Sequence, residues 1–206
     1  METASTDKCE EYWANEPDMA ELCRLYDLLS TNLEKAIAGL ESLAERGSAM
    51  SMCYLADAYR GVYGPKDLEK AKYWYAKADE NGIVEATAHL GRICAEEGDF
   101  DGAFQAFSRS SSRGDLPTTY RLAVMYRDGQ GTQKDVQRAR KLYQQATSRG
   151  HLFAKRDLAT LYLKGIFGPM MFFRGLTMLV SLLFDIIGEI CQAVRRGPII
   201  DDRLSG

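Results

Sequence analysis

Histidine is scarce in this chain, and its cysteines follow no pairing pattern. Only His89 and His151 occur among the 206 residues. The five cysteines, Cys9, Cys23, Cys53, Cys94 and Cys191, are irregularly spaced and form no CxxC. An odd count without regular spacing argues against a zinc site and against a disulfide framework. An excess of either charge is also missing. The 26 Lys and Arg stand against 29 Asp and Glu, a net charge of −3. No global field draws such a chain to nucleic acid, and its basic clusters are as short as Arg195-Arg196. The opening Met1-Glu2-Thr3-Ala4-Ser5-Thr6-Asp7 lacks the basic start and apolar core of a secretory signal. Free thiols then fit a reducing cytoplasm.

Chemistry-bearing constellations are lacking too. The two histidines fall in different segments with no companion carboxylate or cysteine, whereas a catalytic or metal site needs converging groups. Glu96-Glu97 and Asp201-Asp202 are adjacent in sequence, so they cannot face one another across a substrate as glycosidase carboxylates do. Gly129-Gln130-Gly131 has no GK[ST] ending and no strand before it, so it is not a phosphate loop. No catalytic residue, metal ligand or cofactor contact is expected.

What is present is self-similarity. Glycine closes a helical run at Gly47, Gly82, Gly114 and Gly150, at intervals of 35, 32 and 36 residues. Glycine just past a helix is the usual left-handed cap, because it has no Cβ to clash. A small residue stands four before a leucine at Ser51/Leu55, Ala86/Leu90, Thr118/Leu122 and Ala154/Leu158. A second small residue follows each leucine, at Ala56, Gly91, Ala123 and Ala159. An aromatic comes three later at Tyr59, Tyr126 and Tyr162, with Cys94 the exception. Leucine and tyrosine four apart share a helical face, and these four leucines are expected along one continuous core. Second helices follow the loops Gly61–Asp67 and Gly129–Asp135, with Ala71, Trp74-Tyr75 and Ala78 matched by Ala139, Leu142-Tyr143 and Ala146. The recurrent aromatics read as packing between helices. No such helix pair buries its apolar stripe alone, and stacking the next repeat covers it. The expected fold is therefore all-α, an α-solenoid of stacked helix-turn-helix repeats (an α/α superhelix). It forms one domain over 1–206: N-terminal capping helices and a partial repeat in 1–46, repeats over 47–168, and a C-terminal helix and tail in 169–206.

The run Lys70-Ala71-Lys72-Tyr73-Trp74-Tyr75-Ala76-Lys77-Ala78, after the small-x3-Leu-small and glycine-loop pattern, resembles the Sel-one-like repeat family. The resemblance covers roughly 47–182, with a partial repeat before it. The second repeat departs from the pattern, with the short Glu96-Glu97-Gly98-Asp99-Phe100 in place of the glycine loop. The fourth keeps Gly165, Gly168 and Pro169, but its second helix is almost wholly apolar. The resemblance implies a tetratricopeptide-like adaptor or scaffold that holds protein complexes together. Such proteins often work at membranes, and several bacterial members accompany surface-polysaccharide assembly or signalling systems, which implies a place in the cytoplasm or peripheral to the inner membrane. A cysteine-rich secreted subgroup has been linked to penicillin binding or hydrolysis. Its paired cysteines are missing here.

In helix-pair solenoids the first helices line the concave face. Counting i, i+4 and i+7 from Cys53 gives Cys53, Asp57 and Arg60. The later repeats give Ala88, Arg92 and Ala95, then Tyr120, Val124 and Arg127, then Arg156, Thr160 and Leu163. Four arginines and one acid in that set predict a mildly basic groove for an acidic peptide segment, since arginine offers a planar donor fork to a carboxylate. The expected partner is another protein and not a nucleic acid.

From Met170 to Arg196 the chain reads as one long amphipathic helix, between Pro169 and Gly197-Pro198. Its polar residues Arg174, Thr177, Ser181, Asp185, Glu189, Gln192 and Arg196 trace a narrow stripe. The remainder is apolar, including Phe172, Phe173, Leu176, Leu179, Val180, Leu183, Phe184, Ile186 and Ile187. One neighbouring helix cannot cover so much apolar surface. Arg174, Asp185 and Glu189 disfavour a true bilayer span, which needs about 20 predominantly apolar residues. Two occupants are expected for the surplus over 170–196. One is the membrane interface, with Arg174, Arg195 and Arg196 near headgroups. The other is a protein, either a membrane protein or a second copy of this chain.

Overall fold

In the computed structural model, residues 16–196 are described, except for the side chains of Glu189 and residues 192–196. Cys9, Gly197-Pro198 and Asp201-Asp202 lie outside the described residues, as do the side chains of Gln192, Arg195 and Arg196. Ten helices and no strands make up the described chain. They are α1 (Met19–Leu28), α2 (Leu33–Glu45), α3 (Ala49–Tyr59), α4 (Leu68–Glu80), α5 (Val84–Glu96), α6 (Phe100–Ser112), α7 (Leu116–Asp128), α8 (Val136–Ser148), α9 (Leu152–Leu163) and α10 (Pro169–Arg196). Each helix packs on the one before and the one after it in sequence. The chain is an all-helical repeat solenoid.

Local chemistry sets the helix boundaries. Every second helix from α2 to α8 starts at a side-chain oxygen that accepts an orphan amide of the first turn. Asn32, Asp67, Asp99 and Asp135 accept from the N–H of Lys35, Lys70, Gly102 and Arg138. The same helices end alike. Gly47, Gly82, Gly114 and Gly150 take φ of 93°, 91°, 93° and 88°. The residue after each donates its N–H back to the last turn: Ser48 to Leu43, Ile83 to Ala78, Asp115 to Ser110 and His151 to Ala146. This double-turn cap reverses the chain and fixes where the next first helix begins.

The core runs along the stack. Ala71, Tyr75 and Ala78 of α4 are buried, and so are Ala139, Tyr143 and Ala146 of α8. Ala103, Phe107 and Ser110 hold the same places in α6, and Ala36, Leu40 and Leu43 in α2. Leu55, Leu122 and Leu158 are buried as their spacing predicts, but Leu90 is only partly so. In α5 the bare Gly91 admits the Phe107 ring, whose nearest atom lies 2.6 Å from where a Cβ would stand. Ile93 fills the interior instead, and Leu90 sits at the rim.

α10 takes the second-helix place of the last repeat. Gly165-Ile166-Phe167-Gly168-Pro169 matches Gly61-Val62-Tyr63-Gly64-Pro65, which sets Gly175, Leu179 and Leu182 where α4 has Ala71, Tyr75 and Ala78. Gly175 is buried, and a Cβ there would stand 2.8 Å from the Ala159 carbonyl oxygen and 3.0 Å from Tyr162 Cβ. The glycine thus brings α10 close against α9.

Candidate interaction surface

The first helices present two polar clusters, joined to the second helices beneath them. The first spans α3, α4 and α5. Tyr75 rises from the core of α4 and donates its hydroxyl to Asp57 at 2.6 Å. Asp57 also faces Arg60 at 3.6 Å. His89 of α5 stacks on the Tyr75 ring at 4.8 Å, and the Arg92 guanidinium meets the His89 ring nitrogens at 2.8 and 2.9 Å. Burial and the Asp57 carboxylate hold the Tyr75 phenol protonated. Burial, with Arg92 adding to it, lowers His89 to about 4, so this imidazole stays neutral. Burial also lowers Arg92, with Arg60 and Arg121 reinforcing the effect. Among the described residues no carboxylate is bonded to Arg92, and the Nε atoms of Arg60 and Arg92 are buried without an acceptor.

The second cluster, on α7 and α9, is built differently. Asp157 accepts from Tyr120 at 3.0 Å, from Arg127 at 3.2 Å and from Arg156 at 2.7 Å. Asp128 takes the rest of the Arg127 fork at 2.7 and 2.8 Å. That hydrogen bonding raises Arg127 further and pulls Asp128 down. Two arginines therefore meet two carboxylates. Thr160 bonds the Arg156 carbonyl of its own helix. His151 caps α9, its Nδ1 accepting the Ala154 amide at 3.1 Å, and its ring stacks on Tyr120.

The structure thus groups Asp57, Arg60 and Arg92 in one cluster and Tyr120, Arg127 and Arg156 in the other. Within the mildly basic groove expected from the sequence, Arg92 is the arginine of the counted set that the structure leaves without a paired carboxylate among the described residues. Arg60 stands beside it, and the exposed Arg121 lies 6.0 Å over the Phe107 ring. Sequence reasoning missed Asp157 and Asp128, which neighbour Arg156 and Arg127 in the chain and so fall off the stripe that was counted. His89 and Tyr75 were missed as the support beneath Arg92. His89 and Tyr75 are fourteen residues apart and on different helices, so no helical period pairs them. Among the described residues no three His, Cys, Asp or Glu converge as a metal site requires.

A pH dependence follows from His89, which faces Arg92, Arg60, Asp57 and Asp115. Its folded value lies below the unfolded value of about 6.5. The unfolded chain therefore binds the extra proton between about pH 6.5 and 4, and stability falls as pH falls through that window. The loss expected from this group is about 2 kcal/mol after allowance for residual exposure. Unfolding midpoints of the wild type and His89→Gln measured from pH 7.5 to about pH 4 should converge toward acid. Parallel curves would mean His89 titrates normally.

The second surface is α10. Phe173, Val180, Leu183, Phe184 and Ile190 are each at least half exposed, and Phe172, Leu176, Ile186 and Ile187 are exposed too. Leu179 is only partly so, because it turns toward α9. Met171 and Met178 pack on the core. Of the polar stripe, Ser181 accepts from Lys155 of α9 at 2.9 Å and Asp185 pairs with the same lysine, while Arg174 and Thr177 are exposed. Pro169–Gly188 is long and apolar enough to cross a membrane by length and composition, with Arg174 and Asp185 inside it.

A stacked helix-pair solenoid with side-chain clusters on its first helices belongs to the class of helical-repeat interaction proteins. The Sel1 repeat model matches residues 49–82 and 118–151. Over 111 residues the chain is 31% identical to DAP3-binding cell death enhancer 1 of Mus musculus, covering 53% of this chain and 22% of that protein. Over 102 residues it is 30% identical to the ERAD-associated E3 ubiquitin-protein ligase component HRD3B of Arabidopsis thaliana, covering 48% of this chain and 17% of that one. The chain thus spans about a fifth of the length of the curated relatives it matches. A solved Sel1 repeat protein from Oxalobacter formigenes superposes with a TM-score of 0.71 at 25% identity, over 82% of this chain and 74% of that one. The protective antigen c5321 of uropathogenic Escherichia coli, which displays an SLR fold, superposes with a TM-score of 0.68 at 22% identity, over 93% and 44%. The chain thus contains two Sel1 repeats, and its helices stack as in solved Sel1-like repeat proteins. Sel1 repeats generally mediate protein–protein interaction.

Proposed function

We propose that this chain is a non-catalytic cytoplasmic adaptor that seats an acidic peptide segment of a protein partner on its first-helix face, with Arg92 as the receiving cation. One observation carries the reading. Arg127 and Arg156 are answered by Asp128 and Asp157, and Arg60 by Asp57, while Arg92 rests on a neutral imidazole. A half-buried guanidinium without a counter-ion gains most from a carboxylate brought to it, because little water screens the pair. Two of the relatives are named for a binding partner or as a ubiquitin-ligase component. An adaptor role agrees with those names. The resemblance adds a setting, a bacterial surface-polysaccharide or signalling assembly at the inner membrane. α10 gives a second contact surface, favoured by its exposed apolar face.

Arg92→Glu should repel the acidic segment and lower partner capture, in cross-linking pull-downs from native cells, by at least about tenfold. Arg156→Gln removes a charge that Asp157 already cancels and should leave capture within about twofold. Arg92→Gln, which keeps a donor to His89, separates lost charge from lost packing. Unchanged capture by a folded Arg92→Glu protein would overturn the reading.

A further inference from the structure

The exposed face of α10 occupies the position at which each earlier repeat receives its successor. Three positions recur along the second helices as points of contact with the following repeat. At the first, Phe104 of α6 meets the Tyr126 ring of α7 edge-on, and Arg140 of α8 lies over Phe167 after α9 at 4.8 Å. At the second, Glu41 of α2 accepts from the Tyr59 hydroxyl of α3, and Gln144 of α8 donates to the Tyr162 hydroxyl of α9. At the third, Asp79 of α4 accepts from Thr87 of α5, and Ser111 of α6 bonds Thr119 of α7 at 2.9 Å. In α10 the same positions hold Leu176, Val180 and Leu183, which are 49%, 50% and 57% exposed. The stacking face continues past the last repeat, but it is now wholly apolar.

We infer that this face is covered by α10 of a second copy of the chain, in a twofold antiparallel helix pair. A further first helix of the Sel1 type fits poorly. Its tyrosine and threonine hydroxyls meet polar atoms in the earlier repeats, and Val180 and Leu183 offer none. A lipid surface fits poorly as well. Interfacial helices are rich in Lys and Arg along their polar face, whereas the sequence of α10 sets Arg174, Arg195 and Arg196 against the acids Asp185 and Glu189, and Asp185 is held by Lys155.

α10 itself has the matching chemistry. Phe173, Leu176, Val180, Leu183, Ile187 and Ile190 repeat at spacings of three and four, a coiled-coil seam. With one α10 antiparallel to another, Phe173 lies opposite Ile190, Leu176 opposite Ile187, and Val180 opposite Leu183. No charge on the seam opposes self-pairing. The orientation follows from length. α9 has 12 residues and α10 has 28, about 18 and 42 Å of helix. The last turns of α10 therefore run past Lys155, and Ile186, Ile187 and Ile190 there are exposed. Antiparallel pairing lays that overhang on the α9-backed half of the other copy. The six seam residues expose on the order of 500 Å² of apolar surface per copy, about 1,000 Å² for the pair, which reaches the lower limit of a stable interface. This inference is independent of the site at Arg92.

Light scattering on the full chain tests it. The chain mass is 23.1 kDa, and the expected species has twice that mass. Leu176→Glu with Leu183→Glu, both at exposed positions, should halve the mass and leave the circular dichroism unchanged. For orientation, Phe173→Cys and Ile190→Cys are made separately in a chain whose native cysteines are replaced by alanine. An antiparallel pair gives a disulfide-linked dimer only when the two proteins are mixed. Homodisulfides in each alone would overturn the orientation. A monomer at tens of micromolar would overturn the pairing. So would a monomer that floats with phosphatidylcholine–phosphatidylglycerol vesicles and is released by the two glutamates, which would assign the face to lipid.

Discussion

Leu55→Ala and Leu122→Ala are each expected to lower stability by about 2–5 kcal/mol, and Leu90→Ala by roughly 1 kcal/mol. The three leucines are equivalent in sequence, four after a small residue and one before another. They differ in burial: Leu55 is 0% and Leu122 7% exposed, while Leu90 is partly exposed at the rim. Removing three carbons from a filled interior costs their transfer from water and leaves a cavity that neighbouring helices close only in part. Leu90 has a face in water, so alanine there leaves less of a cavity. Denaturant unfolding followed by far-ultraviolet circular dichroism reads all three. Equal losses would show that Leu90 shares the continuous core and that Ile93 does not replace it.

Gly131→Ala is the second large effect, expected to cost about 2–4 kcal/mol. Gly131 takes a φ of 62°, and a Cβ there would stand 2.0 Å from the Phe100 carbonyl oxygen and 2.5 Å from its carbon. Those atoms are backbone at the start of α6, so no side chain can swing aside. Alanine would drive the Gly129–Asp135 loop off the preceding repeat. Gly114→Ala is the control. Its φ of 93° is equally left-handed, yet nothing lies within 4 Å of the added carbon. Backbone strain alone should cost about 1–2 kcal/mol there. Thermal unfolding of the two variants separates contact from strain, and similar losses would place Gly131 in open space.

Much of the fold was legible because it is set locally. Gly47, Gly82, Gly114 and Gly150 announce their caps, since only a residue without Cβ turns there at no cost, and the aspartates at 67 and 135 announce the helices they start. α10 was legible for a related reason: Pro169 opens it and its apolar run is unbroken by glycine pairs or proline. Leu90 was misread because its burial depends on what Phe107, sixteen residues on, does with the space over Gly91. For the same kind of reason, the acids that pair with the counted arginines were not legible. A stripe counted at i, i+4 and i+7 finds Arg127 and Arg156, but their charge is cancelled by Asp128 next door and by Asp157 across the stack. Charge balance on a repeat surface depends on contacts about 30 residues apart, such as Arg127 with Asp157, and no helical period encodes those.

The most direct measurement of the adaptor account places a photo-crosslinking amino acid on opposite sides of the stack. Arg121 is exposed on the first helix beside Arg92, and Tyr73 is exposed on the second-helix face of α4. With the crosslinker at position 121 in native cells, a partner protein should be captured, and adding Arg92→Glu should abolish that capture. With it at position 73, the same partner should be absent. Capture from position 73 but not 121, unaffected by Arg92→Glu, would contradict the account.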